Sequence, residues 1–165
     1  MTSALIAAPS TGTAVSAHLR DTLFISELRT RKKSSVLEEL AGALATAGIT
    51  RHPDAVVEAL RRREALGSTG IGKGIAVPHG RSTLVSERAL LVARSRKGIE
   101  FEASDGLPVH LCFLIVAPPL ERDPIYLKLV AEIVRGVRLS KTRQRIMDAP
   151  DFGSIRDLLI EAIQS

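Results

Sequence analysis

Several things are scarce in this chain, and each scarcity narrows what it can be. There is one cysteine among 165 residues, so no internal disulfide can form. Cys112 reads as a small buried hydrophobe in a strand, and that usage suits a reducing cytoplasm. There is no tryptophan, and aromatic residues make up 3%, which leaves almost no platform for base stacking. No apolar run approaches the length of a membrane span. The opening "MTSALIAAPSTGTA" lacks a basic stretch ahead of a long apolar core, so no signal peptide is expected. Residues 1–13 read as a mobile tail ahead of one domain over 14–165.

What is present describes a globular domain. Hydrophobic residues are 45% and charged residues 25% of the chain, the balance of a soluble protein with a sizeable core. The net charge is +5 and the pI about 9.9. The basic residues are spread out, with small clusters at "RTRKK" (29–33) and "RRR" (61–63). Such a field draws a phosphorylated protein as readily as a nucleic acid. Without stacking platforms, nucleic acid is not the expected partner; a steep salt dependence of DNA binding would mark the opposite.

Periodicity places the elements. Over 35–47, Val36, Leu37, Leu40, Leu44 and Ala47 share one helical face, with a capping-box spacing from Ser35 to Glu38 and Gly48 as a stop. A second helix starts near His52-Pro53 and turns Val56, Val57, Leu60 and Leu66 inward. Arg61, Arg62 and Arg63 fall in its last turn, where cations suit the dipole; two of the three read as a solvated helix end. "ALLVARS" (89–95) is strand-like, and "PVHLCFLIVA" (108–117) is apolar enough for a central strand covered on both faces. His110 within it reads as a core histidine with its hydrogen bonds met, and "ASDGLP" (103–108) is a turn. Helices follow over 125–137, over 140–148 and from Asp151 onward. Helices flanking a block of strands give an α/β layered domain.

The richest stretch is "STGIGKGIAVPHGRS", Ser68 to Ser82. "GSTGIGK" matches seven positions of the nucleotide-binding P-loop, but Gly74 stands where the magnesium-binding hydroxyl belongs. A helix precedes it and a strand follows, the reverse of a P-loop, and Pro78 would break a helix growing there. "GIGKG" is not the dinucleotide fingerprint either. What survives is His79, held between Pro78 and Gly80 and projecting from a strand end. By geometry alone it is either a loop histidine without a role or a reactive group.

The run "REALGSTGIGKGIAVPHGRS" (63–82) closely resembles the signature of the type-2 enzyme IIA domains of the bacterial phosphotransferase system. A looser likeness extends from Leu19 to Ile163 through "SSVLEELAGALATAGI" and "DGLPVHLCFLIVAP". The unbroken GSTGIG and the absence of a fused permease favour the nitrogen-regulatory branch. The resemblance implies a single domain with a mixed central β-sheet flanked by helices on both sides. It also implies a cytoplasmic phosphoryl relay rather than a turnover enzyme. A histidine phosphocarrier protein would donate a phosphoryl group to the outer ring nitrogen of His79. Arg63 would stabilise it, and a phosphate-binding loop at Gly67, Ser68, Thr69, Gly70 and Gly80 would offer backbone amides without metal or cofactor. A regulatory target protein, not identifiable from the chain, would read the state.

One departure concerns the family's second histidine, whose place falls on Asp123 in "ERDPIYLKLVAEI". The loop there is a few residues short, so Arg122 or Glu121 are candidates for the same position. Asp123 has three readings. It could accept the inner ring N–H of His79, repel the phosphoryl group, or cap the helix that begins at Pro124. Repulsion would leave a binding module of the same fold that is not phosphorylated.

Overall fold

The computed structural model describes residues 12–120 and 122–165. Among these residues six α-helices and six strands alternate irregularly: α1 (Ala14–His18), β1 (Phe24–Ile25), α2 (Lys33–Thr46), α3 (Pro53–Ala65), β2 (Gly70–Gly72), β3 (Ile75–Ala76), β4 (His79–Arg81), β5 (Ala89–Ile99), β6 (Val109–Ala117), α4 (Pro124–Gly136), α5 (Ser140–Asp148) and α6 (Phe152–Gln164). The tail expected over 1–13 lies outside the described residues as far as residue 11. Thr13 is the N-cap of α1, accepting from Ser16 N at 3.0 Å.

The sheet is mixed, in the order β1-β5-β6-β3-β2, with β4 also on β6. β5 and β6 form its antiparallel centre. On the other side of β6, β3 and then β4 run parallel to it, Ile75 opposite Leu111 and His79 opposite Ile115. These two short strands are one lane, interrupted at Pro78, which has no N–H to give to a ladder. Pro78 still accepts from Ile115 N at 3.0 Å, so His79 is delivered to a fixed place beside the C-terminal half of β6.

Strand alternation sorts the core into two layers. Leu91, Ala93, Cys112, Leu114 and Val116 face α2 and α3. Leu90, Val92, Leu111, Phe113 and Ile115 face α1, α4 and α6. The near-continuous apolar run of β6 is therefore what a strand covered on both faces needs. Cys112 is fully buried, and burial pushes its thiol up to about 12. His110 is half-buried and its Nδ1–H donates to the Ser95 carbonyl at 2.8 Å.

Three local expectations are corrected. α2 starts at Lys33, two residues before Ser35, and has no side-chain cap, so the Ser35–Glu38 spacing is not a capping box. Leu66 is not inward but 85% exposed, because α3 ends at Ala65 and the chain turns at Gly67 (φ +140°). β5 extends beyond 95 to Ile99, past a register shift between Arg94 and Ile99.

α1 is too short to stand alone. It is held by Glu132, which is buried in α4 and accepts from Ala14 N at 2.9 Å and Val15 N at 2.8 Å. Glu132→Ala strands two buried N–H groups at a cost of about 1–3 kcal/mol. Hydrogen exchange should show protection lost over Ala14–His18 first, with the amides of β6 shifting only by the global change.

Candidate functional site

The site gathers at the C-terminal end of β6, where α3, β4 and the start of α4 meet. His79 opens β4 and is half-buried. Its Nδ1 lies 2.8 Å from the Val77 carbonyl. A carbonyl only accepts, so Nδ1 carries the proton. Its Nε2 lies 3.1 Å from Arg63 Nε; guanidinium only donates, so Nε2 presents a lone pair. The two partners thus fix one tautomer of a neutral ring.

The ring's pKa follows the same logic. Burial lowers it most; the Val77 hydrogen bond raises it, Arg63 lowers it and Glu64 raises it, for a net value below the ordinary 6.5. The folded state therefore refuses a proton that the unfolded chain takes up below pH 6.5. His79 thus costs stability as pH falls through 6.5 toward the lower folded value, and the loss is absent above that window. An imidazole titration by NMR should give a midpoint under 6.5. The melting-temperature gap between wild type and His79→Asn should shift in the variant's favour from pH 7.5 to pH 5.

Arg63 comes from the last turn of α3, and its Nη1 donates to the Gly67 carbonyl at 2.9 Å. It is the one arginine of its triplet turned to the site. Arg61 pairs with Glu38 at 3.0 Å and Arg62 stands 4.0 Å from Glu58, both on the surface.

The amides of Gly67, Thr69 and Gly70 do not form the cradle expected of the glycine-rich loop. Gly67 N donates to the Glu64 carbonyl. Thr69 N donates to the Glu64 carboxylate at 3.1 Å, and Thr69 Oγ1 bonds the same carboxylate. Gly70 N donates to Ser68 Oγ at 3.0 Å, and Ser68 Oγ donates to the Phe101 carbonyl at 3.1 Å. These donors are spent within the protein. The loop acts instead as a buttress: Lys33 holds Glu64 at 2.6 Å, Glu64 holds Thr69, the Thr69 carbonyl accepts from Val77 N at 3.0 Å, and Val77 holds His79. Gly70 is needed for close packing, since a Cβ there would sit 2.8 Å from Ala103 Cα. Gly80 lies in β4 against Ala59 and Leu60 of α3, not in a relaxed turn.

Asp123 is the N-cap of α4, accepting from Tyr126 N at 3.2 Å. It does not meet His79; Val77 has the inner nitrogen. Its carboxylate accepts from Arg88 Nη2 at 2.9 Å and stands 3.7 Å from Arg81 Nη1. Burial opposes its charge, but the Arg88 hydrogen bond, the Tyr126 N–H and the charges of Arg88 and Arg81 outweigh it and hold the carboxyl below its usual range. Arg122 is exposed, and Glu121 lies outside the described residues.

Reading the sequence missed three members of this cluster. Tyr126, the only tyrosine, presents its ring edge-on to His79 at 5.9 Å between centroids. Burial pushes its hydroxyl up to about 12. Arg81 lies with its Cζ 4.2 Å from the centroid of the same ring; its place two residues beyond His79 on a strand was the available signal. Arg88, before β5, had none.

A mixed sheet between two helical layers, with a histidine opening a short strand parallel to the central one, defines an α/β protein of the enzyme IIA kind. The family model described as "Phosphoenolpyruvate-dependent sugar phosphotransferase system, EIIA 2" matches residues 17–162, and the chain belongs to that family. A nitrogen regulatory protein of Bradyrhizobium diazoefficiens is 36% identical over 132 residues, 80% of this chain and 85% of that protein. The fructose-specific EIIA component of Haloferax volcanii is 30% identical over 132 residues, with the same coverage. The crystal structure of nitrogen regulatory protein IIA-Ntr from Neisseria meningitidis superposes with a TM-score of 0.81 at 28% identity, covering 89% of this chain and 99% of that one. Among the described residues no helix is long and apolar enough to cross a membrane, and no cluster of metal-ligating side chains occurs.

Proposed function

We propose that this chain is a phosphocarrier with a regulatory output, accepting a phosphoryl group on His79 Nε2 from a histidine phosphocarrier protein and signalling through contacts with a target protein. The carrying observation is the tautomer: Nδ1–H is committed to the Val77 carbonyl at 2.8 Å, which leaves Nε2 as the nucleophile. In the transfer, the Nε2 lone pair attacks phosphorus. The P–N bond of the donor phosphohistidine breaks, and its electron pair stays on the donor imidazole. The Nδ1 proton remains on His79, where Val77 stabilises the charge that the ring acquires. Arg63 lies on the ring itself, and Arg81 and Arg88 together outnumber the one carboxylate they face, Asp123.

The test is incubation with phosphoenolpyruvate and the phosphocarrier relay. An adduct labile in acid and stable in base is expected on the wild type and absent from His79→Ala. No adduct on the wild type, or an equal one on His79→Ala, would refute the proposal. A second reading, a binding module of the same fold that accepts no phosphoryl group, draws on Asp123 in place of the second histidine. Asp123→His separates them: a large gain in phosphorylation supports the module, and little change supports the carrier.

A further inference from the structure

We propose that Arg81 is a second phosphoryl ligand, held in reserve by Asp123 and recruited when His79 Nε2 is phosphorylated. This inference rests on the phosphoacceptor reading above and adds a residue to it. Arg81 and His79 occupy alternate positions of β4, so their side chains leave the strand on the same side. Both meet one ring: the His79 imidazole is edge-to-face with Tyr126, and the Arg81 guanidinium lies 4.2 Å from that ring's centroid.

The decisive observation is an unmet donor. Arg81 Nη1 is buried and is the one buried side-chain nitrogen or oxygen among the described residues without a hydrogen-bond partner. Its ion-pair partner, Asp123 Oδ2, stands 3.7 Å away, too far for a hydrogen bond. Asp123 has little need of it. Arg88 reaches both carboxylate oxygens, at 2.9 and 3.4 Å, and Tyr126 N caps the helix through Oδ1. A buried unsatisfied donor is rare and calls for a cause. Here it belongs to a side chain that shares the Tyr126 ring with His79, whose own partner, Arg63, is bound to the very lone pair that must react.

The resulting device has three parts. Asp123 keeps the guanidinium near the site by charge without satisfying it. Tyr126 is a flat apolar surface over which a planar cation can shift at small cost. A phosphoryl group on Nε2 then offers anionic oxygens that both Arg63 and Arg81 can grip, one from α3 and one from β4. No proton moves in this exchange of partners. Asp123 stays charged and neutralised by Arg88.

The full chain is phosphorylated by purified phosphocarrier with phosphoenolpyruvate, as wild type, Arg81→Gln and Arg81→Lys, and followed by transfer rate and by ³¹P NMR of the phosphohistidine. Arg81→Gln should lower the transfer rate by about 10²-fold and shift the ³¹P resonance, with Arg81→Lys intermediate in rate because it restores charge without the fork. In the ¹⁵N-arginine-labelled wild type, the guanidinium showing cross-peaks to the Tyr126 ring should shift downfield and slow its rotation on phosphorylation. Wild-type transfer rates in Arg81→Gln overturn the inference. So does an unmoved Tyr126-contacting guanidinium in a phosphorylated wild type, and that measurement decides even if the variants misfold. An unphosphorylated wild type overturns the phosphoacceptor reading itself, which is a different result.

Discussion

Arg63→Gln is expected to cut phosphoryl transfer to His79 by about 10²–10³-fold while leaving the melting temperature within a few degrees of wild type. Arg63 is only half-buried, and its hydrogen bonds run to one carbonyl and to His79 itself, so the fold asks little of it. The reaction asks more. Its Nε–H occupies the Nε2 lone pair in the resting protein at 3.1 Å, and must leave that nitrogen as phosphorus approaches. On the proposed relay, the released guanidinium would offer that N–H to the arriving phosphoryl oxygens. The variant separates two roles by sign. Arg63 also helps to lower the ring's pKa, so Arg63→Gln should move the His79 titration midpoint upward and make the ring a better base. If tuning basicity were the main role, transfer would speed up. A slower transfer from a more basic ring means that charge neutralisation on the phosphoryl group dominates. A wild-type rate in Arg63→Gln would remove this residue from the reaction.

The large elements were legible because they are long and periodic. α2, α3, α4 and α6 repeat apolar residues at helical spacing over 13 or 14 residues, and β6 is apolar on both faces because both faces are covered. Short pieces carry no such signal. α1 has five residues and β1 two; what holds them is distant, Glu132 of α4 for the one and pairing with β5 for the other. Leu66 continued the apolar period of α3 on paper, but the period ended with the helix.

Within the site, the pair that the family signature names, His79 and Arg63, lies in hydrogen-bond contact. The glycines were harder. Gly-rich loops invite an anion-binding reading because their amides are often free, and sequence cannot show that Glu64 and Ser68 take those amides first. Asp123 shows the limit from the other side. Its capping role follows from the Asp-Pro dipeptide. Its two arginine neighbours come from β4 and from the segment before β5, and only the sheet brings them together.

Arg94 makes the same point in the core and carries the largest stability effect. In "ALLVARS" the charge argues for solvent, yet Arg94 is 1% exposed. Parity explains this: Leu90, Val92 and Arg94 leave β5 on one face, the face covered by α4–α6. Arg94 Nη1 donates to the carbonyls of Ile146, Met147 and Ala149 at 3.1, 3.3 and 2.7 Å, and its other nitrogens reach the carbonyl and hydroxyl of Ser26. It has no carboxylate partner among these bonds. Its counter-charge is the negative end of α5, where Ile146 O accepts from Ala149 N as well as from Arg94 and the chain leaves at Pro150. Burial accordingly lowers the guanidinium's pKa, and an arginine in a protein keeps its proton at neutral pH. Arg94→Met keeps the length and removes every donor, stranding several buried carbonyls at about 3–5 kcal/mol. For a chain of this size that is a fall in melting temperature of roughly 10 °C or more. Arg94→Lys should recover only part, because one ammonium cannot span acceptors from both β1's flank and α5. Below the lowered melting point, phosphorylation of His79 should proceed at the wild-type rate. Arg94 stands opposite Leu111, well back along β6 from Ile115, the residue opposite His79. A melting temperature unchanged in Arg94→Met would mean that water replaces the guanidinium at the end of α5.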